Sequence, residues 1–95
     1  MPKLNLKSKI KISSQVLFRE VEGEAVILNP DSGVYYGLDP VGTRIWHLLD
    51  RHKVLDKVSQ QLAEEFEVPS SRCEKDVLKL AESLQKNGLI ECLSA

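Results

Sequence analysis

Residues 16–38 read VLFREVEGEAVILNPDSGVYYGL, in which three apolar-rich runs are separated by two turn signals. The first turn contains Glu22-Gly23, and glycine can take the positive φ that a tight hairpin reversal requires. The second turn, NPDSG at 29–33, has proline at the second place of a type I turn and glycine at its close. The stretch therefore predicts an antiparallel meander of three strands over residues 16–21, 25–28 and 34–38.

The three runs differ in how apolar their two faces are. The middle run, AVIL at 25–28, is continuously apolar and β-branched at two positions, which predicts a central strand covered on both faces. The first run alternates apolar and charged residues on each face, which suits an outer strand. In a meander the third run, VYYGL at 34–38, then lies at an edge of the sheet.

The second half of the chain predicts three helices. Asp39 is a suitable N-cap and Pro40 a suitable first residue for the first of them, and we expect Trp46 to lie in the core. A second helix is predicted from about residue 54 to 66, because its apolar residues fall on one face. These residues are Leu55, Val58, Leu62 and Phe66.

The third helix has a start signal and a stop signal. Ser71-x-x-Glu74 is a capping-box pattern, and Asn87-Gly88 is a typical helix end. Residues 89–93 are predicted to pack back as a short tail. The order of strands followed by helices predicts an α+β fold, with the inventory of a winged helix-turn-helix: a three-stranded antiparallel sheet followed by three helices.

The 95 residues suffice for one domain. We assign residues 1–14 to an N-terminal arm, in which KIKI at 9–12 could form a short extra strand, and residues 15–95 to a single domain. The chain has no apolar run of roughly 20 residues, as a membrane span needs, and no secretory signal. Two cysteines without near neighbours then indicate reduced thiols and a cytoplasmic protein.

Charge and motifs both argue against several function classes. The 13 basic and 14 acidic residues give a net charge of -1, whereas a nucleic-acid binder usually carries a basic excess. The sequence has no glycine-rich phosphate loop, nucleophile elbow or metal-binding motif. His47 and His52 are five residues apart, so a helix turns them away from each other. We therefore expect no catalytic site, no metal and no cofactor.

The third strand carries the most informative signal. An exposed edge is normally protected by charge or proline, and residues 34–38 contain neither. Strand alternation sends Val34, Tyr36 and Leu38 to one face and Tyr35 to the other, while Gly37 allows close approach of another backbone. Such an edge can accept an added peptide strand, so these five residues are candidate binding residues.

The third helix has a wide apolar arc. At 100° per residue its main apolar cluster spans about 60°, and comprises Cys73, Val77, Leu80 and Leu84. Ala81 and Leu78 extend this arc on one side. Two interpretations remain open: either the tail at 89–93 covers Leu78, or Val77, Leu78 and Ala81 form the apolar wall of a groove between this helix and the edge strand.

Residues 15–91 resemble the family of coenzyme PQQ synthesis protein D, and equally the standalone leader-binding proteins of lasso-peptide clusters. Together these are called RiPP recognition elements, where RiPP denotes a ribosomally made and post-translationally modified peptide. The resemblance rests on GVYYGL at 33–38 with Ile45-Trp46, and on Asp76-Val77 with GLI at 88–90. None of these segments is specific to the family by itself, but their order and spacing together are specific.

The resemblance implies a winged helix-turn-helix-like fold without a catalytic site. It implies that the leader of a precursor peptide lies along the third strand, in a groove shared with the third helix, and it adds Asp76 to the candidate binding residues. The partners it implies are the precursor leader and either a radical SAM enzyme or a leader peptidase and cyclase. PQQ and lasso pathways both remain open, as do monomer and homodimer.

Two other functions are alternatives to peptide binding. A winged-helix DNA binder would need a basic third helix, yet that helix carries four basic and three acidic residues, which nearly cancel. These are Arg72, Lys75, Lys79 and Lys86 against Glu74, Asp76 and Glu82. The other alternative is an enzyme subunit or regulatory domain without chemistry of its own.

Overall fold

The computed structural model describes residues 4–93; the first three residues of the predicted arm and the last two of the predicted domain lie outside them. Five strands and three helices follow in the order β1 (Ile10–Ile12), β2 (Leu17–Val21), β3 (Glu24–Asn29), β4 (Val34–Leu38), α1 (Pro40–His52), α2 (Leu55–Phe66), α3 (Ser70–Lys86) and β5 (Ile90–Cys92). The predicted α+β fold, with a three-stranded antiparallel sheet followed by three helices, is confirmed.

The main sheet has the strand order β2-β3-β4 and is antiparallel throughout. Glu22 and Gly23, between β2 and β3, have φ angles of 53° and 80°, as a type I′ hairpin turn requires. The second turn closes with Gly33 at φ 72°, whose amide donates to the Asn29 carbonyl at 2.8 Å. Both predicted turns are confirmed, and they leave β2 and β4 as the two edges.

A second, two-stranded sheet joins the two ends of the chain. The short strand predicted at 9–12 is present as β1, and its antiparallel partner is β5, which pairs Lys11 with Glu91. The predicted tail packs back in part, since Leu89 and Ile90 are buried and Cys92 is half-buried, whereas Leu93 is 57% exposed. Leu4 and Ile10, from the predicted arm, are also part of the core, so the arm packs against the rest of the chain.

The helix ends follow local hydrogen bonding. Asp39 caps α1 as predicted, because its Oδ1 accepts a bond from the Gly42 amide at 2.7 Å. At the end of α3, the Leu89 amide donates to the Leu84 carbonyl at 2.9 Å and the Gly88 amide to the Gln85 carbonyl at 3.0 Å. With Gly88 at φ 74°, this is a Schellman motif, and the predicted stop at Asn87-Gly88 is confirmed.

The predicted capping box at the start of α3 is wrong. The helix begins at Ser70 after Pro69, and its N-cap makes no side-chain hydrogen bond. Ser71 already lies inside the first turn, where it has helical backbone and cannot act as the cap. Pro69, with φ fixed at −56°, sets the chain direction at this position instead.

The core lies between the sheet and the helices, and it covers one face of β3 only. Ala25 and Ile27 are buried, as is Trp46 on α1, which the sequence placed in the core. Val26, on the opposite face, is 46% exposed. The prediction that β3 is covered on both faces is therefore wrong, because the helices pack only against the face that carries Ala25 and Ile27. None of the described helices is long and apolar enough to span a membrane.

A bidentate ion pair links α1 to α2, and it provides a test of stability against pH. The Arg44 guanidinium donates to both Glu65 carboxylate oxygens at 2.6 and 2.7 Å, and this bonding lowers the pKa of Glu65. Since folding lowers this pKa, the pair stabilises the fold above the unfolded-state pKa of Glu65, and the contribution is lost as the pH falls through the folded-state pKa.

We expect Glu65→Gln to reduce the free energy of unfolding by no more than about 1 kcal/mol at pH 7, because the pair is solvent-accessible. The difference from the parent should shrink toward zero in acid. Urea unfolding at several pH values measures both quantities. A difference that persists in acid would show that Glu65 acts through packing rather than charge.

Candidate functional site

The free edge of β4 is the feature around which the site is built. Within residues 4–93, β4 pairs with β3 and with no other strand. It has no charged residue and no proline, whereas β2 at the opposite edge carries Arg19 and Glu20. Charge on an edge discourages the addition of another strand. Of the two edges of this sheet, β4 is therefore the less protected against pairing with another strand.

A groove of 440 Å³ lies between the β4–α1 corner and α3, and we call it the β4–α3 groove. On one side it is lined by Tyr36, Asp39, Val41, Gly42 and Ile45. On the other side it is lined by Asp76, Lys79, Leu80 and Ser83. These four share a flank of α3 because they are spaced at three and four residues. The free strand edge and the apolar groove thus adjoin each other.

One side-chain hydrogen bond connects the two walls of the groove. The Tyr36 hydroxyl donates to Ser83 Oγ at 2.8 Å, and the Tyr36 ring packs against the core. A ring held at both ends gives β4 and α3 a fixed separation at this position. The bond therefore ties β4 to α3 across the groove.

The groove is apolar at its walls and charged at its rim. Leu80 is half-buried and Val41 exposed, so both offer apolar surface to a bound chain. Asp76 and Lys79 are exposed on α3, and Asp39 is occupied by its bond to the Gly42 amide. The arrangement suits a segment that places apolar side chains inward and polar groups at the margin.

The predicted binding residues on β4 occupy both faces of the strand. Val34, Tyr36 and Leu38 lie on the helix side, where Leu38 is buried and the other two are half-buried. Tyr35 is 71% exposed on the opposite side, and Gly37 is also exposed there. Of these five residues, Tyr36 lines the β4–α3 groove, and so does Asp76 of α3.

The apolar wall predicted on α3 needs correction. Val77 and Ala81 are each 0% exposed, so they belong to the core and offer no surface to a peptide. Leu78 is half-buried and packs against the core, but it does not line the groove. At 100° per residue it lies about 160° around the helix from Leu80, on the far flank of the buried arc.

The sequence interpretation assigned Leu80 to the core and missed its place in the groove, together with those of Lys79, Ser83 and Val41. The available signal was that Leu80 lies at one margin of the apolar arc, just as Leu78 lies beyond the other. Choosing between the two margins requires knowing which flank of α3 faces β4. The bond between Tyr36 and Ser83 answers that question.

The cysteine and histidine side chains are placed unfavourably for nucleophilic chemistry or metal binding. Burial raises the pKa of the Cys73 thiol, which disfavours the reactive thiolate. His47 Nε2 lies 2.6 Å from Glu20 Oε1, and His52 is on a different face of α1. Among residues 4–93 no three His, Cys, Asp or Glu side chains are grouped to hold a metal ion.

Comparison with known proteins gives concordant findings. Residues 24–90 match the family described as coenzyme PQQ synthesis protein D. A PqqA binding protein from Rhizobium meliloti (strain 1021) is 26% identical over 92 residues, which cover 95% of this chain and 92% of that protein.

Two solved structures have the same fold as this chain. TbiB1, in complex with the TbiA(beta) leader peptide, superposes with a TM-score of 0.81 at 32% identity, over 90% of this chain and 99% of TbiB1. A lasso peptide synthetase B1 complexed with the leader peptide gives a TM-score of 0.77 at 25% identity, over 87% of this chain and 98% of that chain.

Proposed function

The chain belongs to the coenzyme PQQ synthesis protein D family, as a PqqD-like RiPP recognition element, and from this we infer that it binds the leader segment of a ribosomally made precursor peptide. It acts as a binding protein rather than as a catalyst. The relatives support this inference, because one is named for binding PqqA and two were solved with leader peptides.

The leader binds as an added strand on β4. The observation that carries this proposal is the uncharged, proline-free edge of Val34–Leu38, which adjoins the β4–α3 groove. Backbone N–H and C=O groups along an edge hold a peptide without dictating its sequence. Affinity for any extended segment would therefore come from the edge, and the choice of leader would come from the side chains beside it.

Side-chain selection takes place in the β4–α3 groove. Alternate residues of an added strand point to the same face of the sheet as Tyr36, and this face opens onto Val41 and Leu80. The proposed binding set is therefore the backbone of β4 with Tyr36, Val41, Asp76, Lys79, Leu80 and Ser83. This set keeps Tyr36 and Asp76 from the sequence-based prediction. It replaces the predicted wall of Val77, Leu78 and Ala81 with Val41, Lys79, Leu80 and Ser83.

A bound leader would be delivered to an enzyme that modifies or cleaves the same precursor in the cytoplasm. Radical SAM enzymes and leader peptidases with their cyclases are the two candidate classes, since the relatives include both PqqA-binding and lasso proteins. No observation favours the DNA-binding alternative, because the charges exposed on α3 nearly cancel.

Calorimetric titration tests this function. The ligand is the leader of the precursor peptide encoded beside the gene for this chain, and the controls are a scrambled peptide of the same composition and a duplex DNA at about 150 mM salt. We expect saturable one-to-one binding of the leader and no measurable binding of either control. Equal affinity for the scrambled peptide would contradict leader recognition, and sub-micromolar DNA binding would favour the alternative.

A further inference from the structure

The face of the main sheet that points away from the helices is unusually apolar. The strand register places three rows of side chains on it, Leu17–Leu28–Tyr35, Arg19–Val26–Gly37 and the pair Val21–Glu24, and we call this surface the outer face. The solvent-exposed face of an antiparallel sheet is ordinarily polar. Here Leu17, Val26 and Tyr35 are all exposed, so apolar contact area is available next to the β4 edge.

Gly37 leaves a gap at the end of the second row. Its φ is not positive, so the backbone does not require glycine. A Cβ at this position would meet no atom within 4 Å, whereas at Gly42 it would lie 3.2 Å from Leu38 Cδ2. The absence of a side chain at Gly37 is therefore explained neither by strain nor by crowding within the protein.

The gap lies where an added strand would place a side chain. In an antiparallel pair, directly opposed residues have their Cβ atoms about 5 Å apart and on the same face. The peptide residue opposite Gly37 would thus stand on the outer face, with Val26 across the gap and Tyr35 as its diagonal neighbour. A large ring laid over a strand glycine replaces the contacts that the glycine lacks.

The outer face also offers volume for such a ring. A hollow of 350 Å³ beside this face is lined by Leu17, Phe18, Arg19, Val26, Leu28 and Tyr35. Of its lining residues, Val26 pairs with Gly37 and Tyr35 lies two residues before Gly37 on β4. An apolar side chain reaching across Gly37 would bury area against both residues, and aromatic pairs gain further from offset or edge-on packing.

We propose that the outer face over Gly37 is a second leader subsite, which takes one large aromatic or apolar side chain. The proposal rests on strand addition to β4, and it assigns the leader a two-sided pattern. Residues on either side of the key position point into the β4–α3 groove, and the residue between them packs over Gly37 against Val26 and Tyr35. The domain then recognises side chains of the peptide on both faces of the sheet.

A displayed library of random fourteen-residue peptides, selected on the full chain, tests the subsite. From the enriched sequences, two peptides are made that differ only at the outward position, one with the selected residue and one with alanine. Fluorescence anisotropy then gives both affinities. We expect a preference of about ten-fold for the large residue, and enrichment of apolar residues at the adjacent groove positions.

Gly37→Phe is the discriminating variant, because its own ring fills the gap. This variant should bind the peptide with the large outward residue less than about three-fold more tightly than the alanine peptide. The preference for apolar residues at the positions that face the groove should be unchanged. Val21→Ser, on the outer face but on the far strand, should keep the full preference. Thermal melts should confirm that both variants fold, and Gly37→Ala provides a smaller filling of the gap if the phenylalanine variant melts early.

Each other result has a distinct meaning. Failure of the parent to enrich any peptide would overturn strand addition itself, and the subsite with it. Enriched peptides with apolar residues only at the positions that face the β4–α3 groove would overturn the subsite and leave leader binding intact. A preference for the large outward residue that survives in Gly37→Phe would have the same meaning. Concentration-dependent dimerisation that Val21→Ser abolishes would assign the outer face to a second copy of the chain.

Discussion

Leu80→Glu is expected to weaken leader binding by at least about 30-fold, because it places a charge where a bound peptide would exclude water. An unpaired charge in an apolar site costs about 2 kcal/mol or more, which corresponds to this loss of affinity. Asp76 lies one turn earlier on the same flank of α3, so its carboxylate opposes the new one. Titration calorimetry with the cognate leader measures the effect.

Leu78→Glu is the matched control for this experiment. Leu78 and Leu80 are half-buried leucines on the same helix, but Leu78 does not line the β4–α3 groove. The Leu78 variant should bind the leader within about three-fold of the parent. If Leu78→Glu lost binding and Leu80→Glu kept it, the flank of α3 assigned to the leader would be the wrong one.

Val77→Asp is expected to unfold the domain, because Val77 has no exposed surface and packs within the core. A carboxylate buried there without a partner costs on the order of 4 kcal/mol or more. This is comparable to the whole stability of a small domain, typically about 5–10 kcal/mol. Circular dichroism should show that the variant has lost its cooperative thermal transition.

Lys75→Asp is the control for the unfolding experiment, since Lys75 is exposed on the same helix. Its melting temperature should stay within a few degrees of the parent, because surface substitutions change stability little. A folded Val77→Asp variant with impaired leader binding would return Val77 to the peptide site. It would then support the wall that the sequence alone suggested.

Local signals explain why much of the fold was predictable. The bounds of β4, the cap at Asp39 and the stop at Asn87-Gly88 each depend on a few neighbouring residues, and the structure confirms all three. The family resemblance, drawn from residues spread over most of the chain, is confirmed by the match over residues 24–90.

The failures arise where the answer depends on a distant element. The apolar run of β3 suggested cover on both faces, but the helices cover only one and Val26 remains exposed on the other. Helical periodicity defined the apolar arc of α3 without showing which margin faces β4. The periodicity places Leu80 in the core and Leu78 on the groove wall, whereas in the structure both pack against the core and only Leu80 lines the groove.

The capping box failed for a related reason. Ser71 and Glu74 match the pattern in sequence, but Pro69 allows the helix to begin at Ser70 and leaves Ser71 within the first turn. A two-residue capping pattern competes with other helix-start signals beside it, here Pro69. The sequence alone does not show which of these signals the helix uses. The same limit applies to the outer face, whose apolar residues resemble core residues when only the strand pattern is read.

Backbone amide hydrogen exchange of β4, measured by NMR with and without the leader, tests the central claim most directly. If the leader adds as a strand, those amides of Val34–Leu38 that point away from β3 should gain protection on binding, because they acquire carbonyl partners. Amides of β2, at the other edge, should be unchanged. A saturated complex in which the exchange rates of β4 stay the same would contradict strand addition at this edge.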